Sequence, residues 1–202
     1  MISAVILAAG ESRRMGKQNK LLLPLGGEAL LVKLVKSVCA SDVGQVIVVI
    51  GHEAEKIRRE LNNFPLSFVY NPNFSEGMTT SIKFGVKEVS VDSDGFLIFL
   101  ADMPFINSSE ISKLIHAYVQ NRIKEKRLIV APVFQGQRGN PVLFSSEFRN
   151  DILEHKKESG CKEIIMNNSE SVKEIEMDDD NMLLDVDTLE DYQKLTDNFV
   201  KE

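Results

Sequence analysis

Residues 2–16 read ISAVILAAGESRRMG, an apolar run that passes directly into a loop of small and basic residues. Because the run is apolar and bounded by glycine, it predicts a buried strand. Backbone N–H groups between Gly10 and Gly16 can converge on phosphate oxygens. The side chains of Arg13, Arg14 and Lys20 add positive charge. The stretch therefore predicts a loop that binds nucleotide phosphates; the alternative is an ordinary strand-to-loop turn with exposed basic residues.

Two better-known phosphate loops do not fit this stretch. A P-loop has the pattern G-x-x-x-x-G-K-[S/T], whereas five residues separate Gly10 from Gly16 here and Gln18 follows Lys17. A dinucleotide fingerprint, G-x-G-x-x-G, needs a second glycine where Ser12 stands. The spacing excludes both motifs.

Strand and helix patterns alternate along the chain to about residue 133. Residues 46–50, 66–70, 96–100 and 128–133 are apolar without polar alternation, which predicts strands buried on both faces. Helical periodicity occupies 29–38, 52–61, 78–89 and 111–119, the last with Ser108 or Ser109 as N-cap and Glu110 in its first turn. This alternation predicts a doubly wound, mostly parallel sheet in three α/β/α layers, with the ligand site at the carboxyl ends of the strands.

The part after residue 133 predicts an added strand pair followed by acidic closing helices. No linker or internal repeat interrupts the chain, so residues 1–202 are expected to form a single domain. No apolar run is long enough for a membrane span and no basic region precedes the first one, so we expect a cytoplasmic protein without a membrane partner. Cys39 and Cys161 lie far apart in the sequence and form no C-x-x-C motif, so both are expected to be reduced thiols.

The charge of the chain is unevenly spread. The net charge is −6; residues 1–146 carry 17 basic and 13 acidic side chains (+4), and residues 147–202 carry 7 and 17 (−10). Nucleic-acid binding is not expected, because it requires an extended basic face. A small anionic ligand fits the short basic loop better.

Carboxylates follow two predicted extended segments. Asp102 comes directly after the strand at 96–100, where a carboxylate is well placed to hold Mg²⁺ on a triphosphate; the alternative is a helix cap or turn former. Asp185 and Asp187 share a face if their segment is extended, so both can point at one cation, although Asp187 or Thr188 can also cap the last helix. These spacings predict an acidic metal site.

Two polar loops complete the set of candidate residues. Residues 71–81, NPNFSEGMTTS, place hydroxyls and free N–H groups at a helix N-terminus, which suits an anion or a base edge but also an ordinary helix start. Residues 136–141 place Arg138 between glycines, either for a second phosphate-bearing substrate or as an exposed hairpin. The three histidines lack a partner Ser or Cys signature, so a catalytic triad is not expected.

These segments together resemble the nucleotidyltransferases of molybdenum cofactor maturation, and most of all their cytidylyltransferase branch. The segments that carry the resemblance occur in this order: LAAGESRRMG, KLLLPLGG, NPNFSEGMTTSI, LADMP, GQRGNPVLF and DVDTLEDY. The resemblance implies a glycosyltransferase-A-like nucleotidyltransferase fold. It also implies Mg²⁺-dependent transfer of CMP from CTP to the terminal phosphate of molybdopterin-bound molybdenum, with release of pyrophosphate. A molybdenum hydroxylase is the implied recipient of the product.

The same resemblance assigns residues to roles. Catalytic roles are implied for Arg14, Lys20 and Asp102, and Mg²⁺ binding for Asp102 and Asp187. Acceptor binding is implied for Arg138, Gly139 and Asn140, with Asn140 standing where many relatives have histidine. Nucleotide binding is implied for Leu7, Ala8, Ala9, Gly10, Ser12, Arg14, Lys20, Thr80 and Ser81. Ala9 favours CTP, because guanylyltransferase relatives tend to have glycine there. The spacing after Gly16 is one residue longer than is common, which leaves open whether Lys17 or Lys20 meets the phosphates.

Three other functions stay open at this point. The chain could transfer GMP from GTP to molybdopterin, or it could transfer CMP to another phosphorylated acceptor, such as a sugar or alcohol phosphate. A non-catalytic cofactor carrier or chaperone for a molybdenum hydroxylase is the third. The presence of Arg14, Lys20, Asp102 and Asp187 together favours an enzyme, because a carrier has no need for metal carboxylates beside a phosphate loop.

Overall fold

A computed structural model, which describes residues 1–16 and 18–199, contains one large mixed sheet and a small hairpin. The strands are β1 Ile2–Ala8, β2 Pro24–Leu25, β3 Glu28–Ala29, β4 Gln45–Ile50, β5 Ser67–Tyr70, β6 Gly95–Leu100, β7 Ile129–Phe134, β8 Gln137–Arg138, β9 Val142–Ser145 and β10 Val172–Glu176. The large sheet has the order β5-β4-β1-β6-β9-β7-β10, with β8 paired to β7, and β2 pairs with β3. Within the large sheet, pairing is parallel except where β9 meets β6 and β7 and where β8 meets β7; the β2–β3 hairpin is antiparallel.

Helices cover both faces of the sheet, as predicted. They are α1 Leu30–Cys39, α2 Ala54–Glu60, α3 Met78–Lys87, α4 Ser108–Arg122, α5 Arg149–Glu154, α6 Lys162–Asn167 and α7 Leu189–Phe199. Alternate β1 residues face opposite cores: Ile6 packs with apolar residues of α1 and α4, and Val5 packs with those of α3 and α5. Each fully buried aliphatic side chain of this kind contributes about 1.5–3 kcal/mol. No helix in the described part of the chain is both long and apolar enough to cross a membrane.

Two predictions from the pattern were wrong. The N-cap of α4 is Asn107, not a serine: its Oδ1 accepts from Glu110 N at 3.0 Å, and Glu110 Oε2 accepts from Asn107 N at 2.8 Å. This reciprocal pair forms because an asparagine caps as well as a serine when glutamate stands three residues later. Residues 172–176, within the part expected to form acidic helices, are β10, because they pair in parallel with β7 at the edge of the sheet, a contact that local periodicity does not indicate.

The parallel strands bring the predicted site residues to one edge. β1 pairs with β4 on one side and with β6 on the other, all in parallel, so the loops after Ala8, Ile50 and Leu100 leave the sheet side by side. The basic loop follows β1, and Asp102 follows β6. A ligand that contacts both loops therefore spans two adjacent strand ends, the usual position of a site in a doubly wound sheet.

Candidate active site

A cleft of about 500 Å³ opens at the carboxyl ends of β1 and β6. Its walls come from the loop after β1, the loop after β6, the start of α3 and the segment at 185–187. The lining residues are Leu7, Ala9, Gly10, Glu11, Ser12, Arg13, Arg14, Lys20, Leu21, Phe74, Ser75, Gly77, Met78, Ser81, Leu100, Ala101, Asp102, Asp185 and Asp187. Most of the predicted nucleotide and metal residues are thus in one place.

The basic loop is folded by its own polar groups. Ser12 lies in the left-handed region (φ 51°), and its Oγ accepts from Lys20 N at 3.2 Å, which folds the second half of the loop back onto the first. The side chains of Met15 and Leu21 are buried and anchor the two short 3₁₀ turns of the loop. Lys20 is consequently held against the sheet. Lys17, the alternative phosphate contact, lies outside the described residues.

Lys20 is paired with two carboxylates at the centre of the cleft. Its Nζ donates to Asp102 Oδ2 at 2.5 Å and to Asp187 Oδ1 at 2.9 Å. Arg14 donates to the other oxygen of Asp187 at 2.7 Å. The side chains of Lys20 and Asp102 are 14% and 16% exposed, whereas that of Arg14 is 69% exposed. Two cations and two anions thus neutralise one another at the centre of the cleft.

The pKa values in this cluster follow the pairing. Burial by itself lowers the pKa of Lys20, but the charge and hydrogen bond of Asp102 and those of Asp187 outweigh it, so the pKa is raised. Burial by itself raises the pKa of Asp187, but Lys20 and Arg14 outweigh it and the pKa is lowered. The pKa of Asp185 is raised by burial and then by the charges of Asp187 and Asp102. Lys20 and Asp187 are therefore both charged at neutral pH.

A buried valine orients the two aspartates of the 185–187 segment. Val186 is fully buried against Leu25 and Leu30, and its backbone N–H donates to the carbonyl oxygen of Asp102 at 3.0 Å. Because neighbouring side chains in extended chain point to opposite sides, Asp185 and Asp187 both face the cleft. The predicted sharing of a face is found in the structure.

The cluster suits a divalent cation that a triphosphate helps to bind. Asp102 Oδ1 is buried and accepts no hydrogen bond from any residue among 1–16 and 18–199. A buried carboxylate oxygen that accepts no hydrogen bond costs stability unless a bound ligand or cation interacts with it. Within the same residues, no group of three acidic, His or Cys side chains is arranged to hold an ion unaided. Mg²⁺ needs no such group, since one or two carboxylates plus substrate phosphates commonly bind it.

The opposite side of the cleft is apolar and formed by β1 and the start of α3. Leu7 and Ala9 line one wall, and Phe74, Met78 and Gly77 line the facing one. Gly77 has φ 111° and ψ 175°, a conformation that side-chain-bearing residues do not adopt, and this sharp bend aims the N-terminus of α3 at the cleft. Sequence reasoning missed Phe74 and Met78; their only signal was their place in the loop at 71–81.

Two predicted nucleotide residues do not expose their side chains in the cleft. Ala8 is fully buried in the core beneath α1 and α4, because alternation along β1 turns it away from Leu7 and Ala9. The Thr80 hydroxyl faces inward, within hydrogen-bond reach of the carbonyl oxygens of Asn73 and Gly77. Ser81, one residue later, does line the cleft.

The residues predicted to bind the acceptor lie outside the cleft. Arg138 pairs with Glu174 at 2.5 Å on the exposed sheet edge. A Cβ at Gly139 would lie 2.2 Å from the carbonyl oxygen of Met182, and Asn140 N donates to that same oxygen at 2.9 Å. The close approach of two backbones explains the glycine, and the loop supports the segment that carries Asp187. These residues thus help to hold the segment that carries Asp187, and their contact with an acceptor stays a prediction.

Two known relatives match almost the whole chain, and a third matches about two thirds of it. A nicotine blue oxidoreductase of Paenarthrobacter nicotinovorans is 24% identical over 96% of each chain. A molybdenum cofactor cytidylyltransferase of Escherichia coli is 25% identical over 95% of this chain and 93% of its own. A probable molybdenum cofactor guanylyltransferase of Natranaerobius thermophilus is 34% identical over 67% of this chain and 62% of its own. Proteins of differently named activities are therefore similar to this one.

A solved structure shares the fold of this chain, and a family model matches most of its sequence. The manganese complex of Rv0371c from Mycobacterium tuberculosis superimposes with a TM-score of 0.78 at 20% identity, with 97% of each chain covered. Residues 4–172 match the family model described as the MobA-like NTP transferase domain. That range includes the basic loop after β1, Lys20 and Asp102. Because the match spans most of the chain, the protein belongs to the family of MobA-like NTP transferases.

Proposed function

We propose that the protein transfers CMP from CTP to the terminal phosphate of molybdopterin-bound molybdenum and releases pyrophosphate. One observation carries the proposal. Lys20 is held between Asp102 and Asp187 directly beside the loop after β1, so phosphate-binding cations and metal-binding carboxylates converge on one point. That combination is what a nucleoside triphosphate and its metal require.

The chain's own residues account for the chemistry in the following way. Gly10, where a Cβ would meet nothing within 4 Å, leaves the backbone of the loop open to the nucleotide. Arg14 and Lys20 bind the triphosphate and neutralise the charge that develops on the leaving pyrophosphate. The acceptor is already a phosphate oxyanion at neutral pH, so no general base is needed and positioning supplies the acceleration. A Mg²⁺ ion bound by Asp102 and Asp187 would add Lewis-acid polarisation of the phosphoryl oxygens.

The base preference rests on the apolar wall. Ala9 is 2% exposed and its methyl group narrows the cleft on the side of the base, which favours a pyrimidine over a purine. The Escherichia coli relative named as a cytidylyltransferase also covers more of this chain than the relative named as a guanylyltransferase. GTP transfer is the second candidate, because the latter relative has the higher identity over the part that it covers.

The acceptor and its recipient belong to the same proposal. The relatives named for the molybdenum cofactor support molybdopterin as the acceptor, and a molybdenum hydroxylase as the recipient of the product follows from it. We place this reaction in the cytoplasm and within a single domain of 202 residues. The charged cluster argues against the non-catalytic carrier, since a carrier has no use for Asp102 beside Lys20.

The proposal is tested by pyrophosphate release. CTP, GTP, ATP and UTP are assayed in parallel with Mg²⁺, each with and without molybdopterin-bound molybdenum. We expect release from CTP that requires the acceptor. Release from GTP alone would favour the second candidate. Silence with all four nucleotides would contradict nucleotidyl transfer to this acceptor.

A further inference from the structure

Asn71 is a buried polar residue that the proposed chemistry leaves unused. It follows β5, its backbone N–H donates to Ile50 O at 2.8 Å, and its side chain is fully buried. A buried amide must satisfy its hydrogen-bonding groups within the protein, so its contacts define its orientation. One of those contacts is with Ser81, which lines the cleft.

The orientation of the Asn71 amide is fixed by its own turn. Its Oδ1 accepts from the backbone N–H of Asn73 at 2.9 Å, and a backbone N–H can only donate. The Nδ2 group therefore faces the other way, where it donates to Thr80 Oγ1 and to Ser81 Oγ, both at 3.0 Å. Both of its hydrogens are used, one on each hydroxyl.

The hydroxyl groups of Thr80 and Ser81 differ in whether an acceptor is available for their own hydrogen. Thr80 can donate to the carbonyl oxygen of Gly77 at 2.9 Å or of Asn73 at 3.0 Å. Ser81 receives a hydrogen from Asn71, and no acceptor among residues 1–16 and 18–199 takes its own. Ser81 lines the cleft, so its remaining hydrogen is available to water or to a ligand there.

We propose that Asn71 is a positioning residue that makes the Ser81 hydroxyl a hydrogen-bond donor to an acceptor atom of the nucleotide base. Cytosine carries adjacent acceptors at O2 and N3, which fit such a donor. Asn71 contacts no ligand itself and acts through Ser81. This inference rests on the proposed function, because it assumes that the base lies between Ala9 and Ser81, which both line the cleft.

The test separates base binding from phosphate binding. Affinities of CTP and of inorganic tripolyphosphate are measured by calorimetry in Mg²⁺ for the wild type, Asn71→Ala, Ser81→Ala and the double variant. Asn71→Ala should weaken CTP binding by about five- to tenfold, the contribution of one hydrogen bond between neutral groups. Tripolyphosphate binding should stay within about twofold, because none of the hydrogen bonds described for Asn71 joins it to Arg14 or Lys20. In the Ser81→Ala background, removal of Asn71 should cause no further loss of CTP affinity.

Two more variants distinguish positioning from simple support of the fold. Asn71→Asp keeps the shape and the bond from Asn73 but accepts from Ser81, which turns the serine hydrogen inward. Its CTP affinity relative to tripolyphosphate should fall at least as far as that of Asn71→Ala; a value close to the wild type would overturn the inference. Asn73→Ala is the matched control, since that side chain is exposed, bonds Glu76, and leaves the backbone N–H in place.

The possible failures have different signatures. If the wild type binds CTP more tightly than tripolyphosphate and Asn71→Ala does so by the same factor, Asn71 does not position the base donor. If the folded wild type binds tripolyphosphate but gains nothing from a base, the proposed function fails, and the role of Ser81 fails with it. Equal loss of both ligands in Asn71→Ala would assign the residue to the fold alone.

Discussion

Replacing Lys20 with methionine separates its two roles, as internal counter-ion and as phosphate ligand. Methionine keeps much of the apolar stem and removes the ammonium that joins Asp102 to Asp187. Loss of one partner from a buried ion pair costs about 3–5 kcal/mol, and the partial exposure of this cluster reduces that to about 2 kcal/mol. For a chain of this size, Tm should fall by about 4–8 °C.

The same variant should bind a free divalent cation more tightly than the wild type does. A cation held by the same carboxylates would lie within a few ångströms of the Lys20 ammonium. At about 4 Å the repulsion between unit charges is about 1 kcal/mol even in bulk water, and a divalent ion doubles it. Nucleotide-free Mn²⁺ affinity, measured by electron paramagnetic resonance, should therefore rise at least about tenfold. CTP affinity should fall, because the triphosphate loses a cation.

The control is Lys36→Met, the same change in an exposed ion pair with Glu28. Its Tm should change by no more than the equivalent of about 1 kcal/mol, and its Mn²⁺ affinity should match that of the wild type. Unchanged Mn²⁺ affinity in Lys20→Met would refute the reasoning that the Lys20 ammonium repels a cation held by Asp102 and Asp187.

Four further changes test other parts of the account. Asp102→Asn should retain the fold and lower kcat for CMP transfer by about 100-fold or more, measured as pyrophosphate release, because a charge that holds the metal is lost. Ala9→Gly should raise kcat/KM for GTP relative to CTP, whereas an unchanged ratio would show that the base is recognised elsewhere. Gly139→Ala should destabilise the protein by about 2 kcal/mol in denaturant unfolding, because its methyl group meets the Met182 carbonyl. Burial raises the pKa of Glu110 to about 7; the hydrogen bond from Asn107 opposes this shift, and Asp179 adds to it. Because the folded state then binds a proton that the unfolded state has lost, the stability of the wild type should decline as pH rises from about 4.5 through 7. Glu110→Gln should remove that decline, and a Tm difference from the wild type that does not grow between pH 5 and pH 8 would contradict it.

Local patterns in the sequence were enough to predict most of the sheet. The strand predicted at 46–50 is β4, and the helix predicted from residue 78 is α3, because each depends on hydrophobic periodicity within its own segment. The central position of β9 could not be predicted. The sequence of a short apolar strand does not indicate which strands it pairs with. In the structure, β9 lies between β6 and β7 and is antiparallel to both.

The candidate site likewise contains residues that local sequence patterns indicate and contacts that only the folded chain brings about. The loop after β1 and Asp102 could be identified because both follow buried strands, and ligands bind at the ends of such strands. The contact of Lys20 with Asp187 joins residues 167 positions apart, which periodicity alone cannot indicate. The pairing of Arg138 with Glu174 could not be predicted for a related reason, because Glu174 belongs to a strand within the acidic part that was expected to be helical.

The central claim is that the α-phosphate of CTP moves, with its nucleoside, onto the pterin phosphate. The most direct measurement is incubation with molybdopterin-bound molybdenum and CTP labelled at either the α- or the γ-phosphorus, followed by separation of the pterin product. The account predicts label in that product from α-labelled CTP only, with an equal amount of pyrophosphate released. Label from the γ position, or none from either, would contradict it.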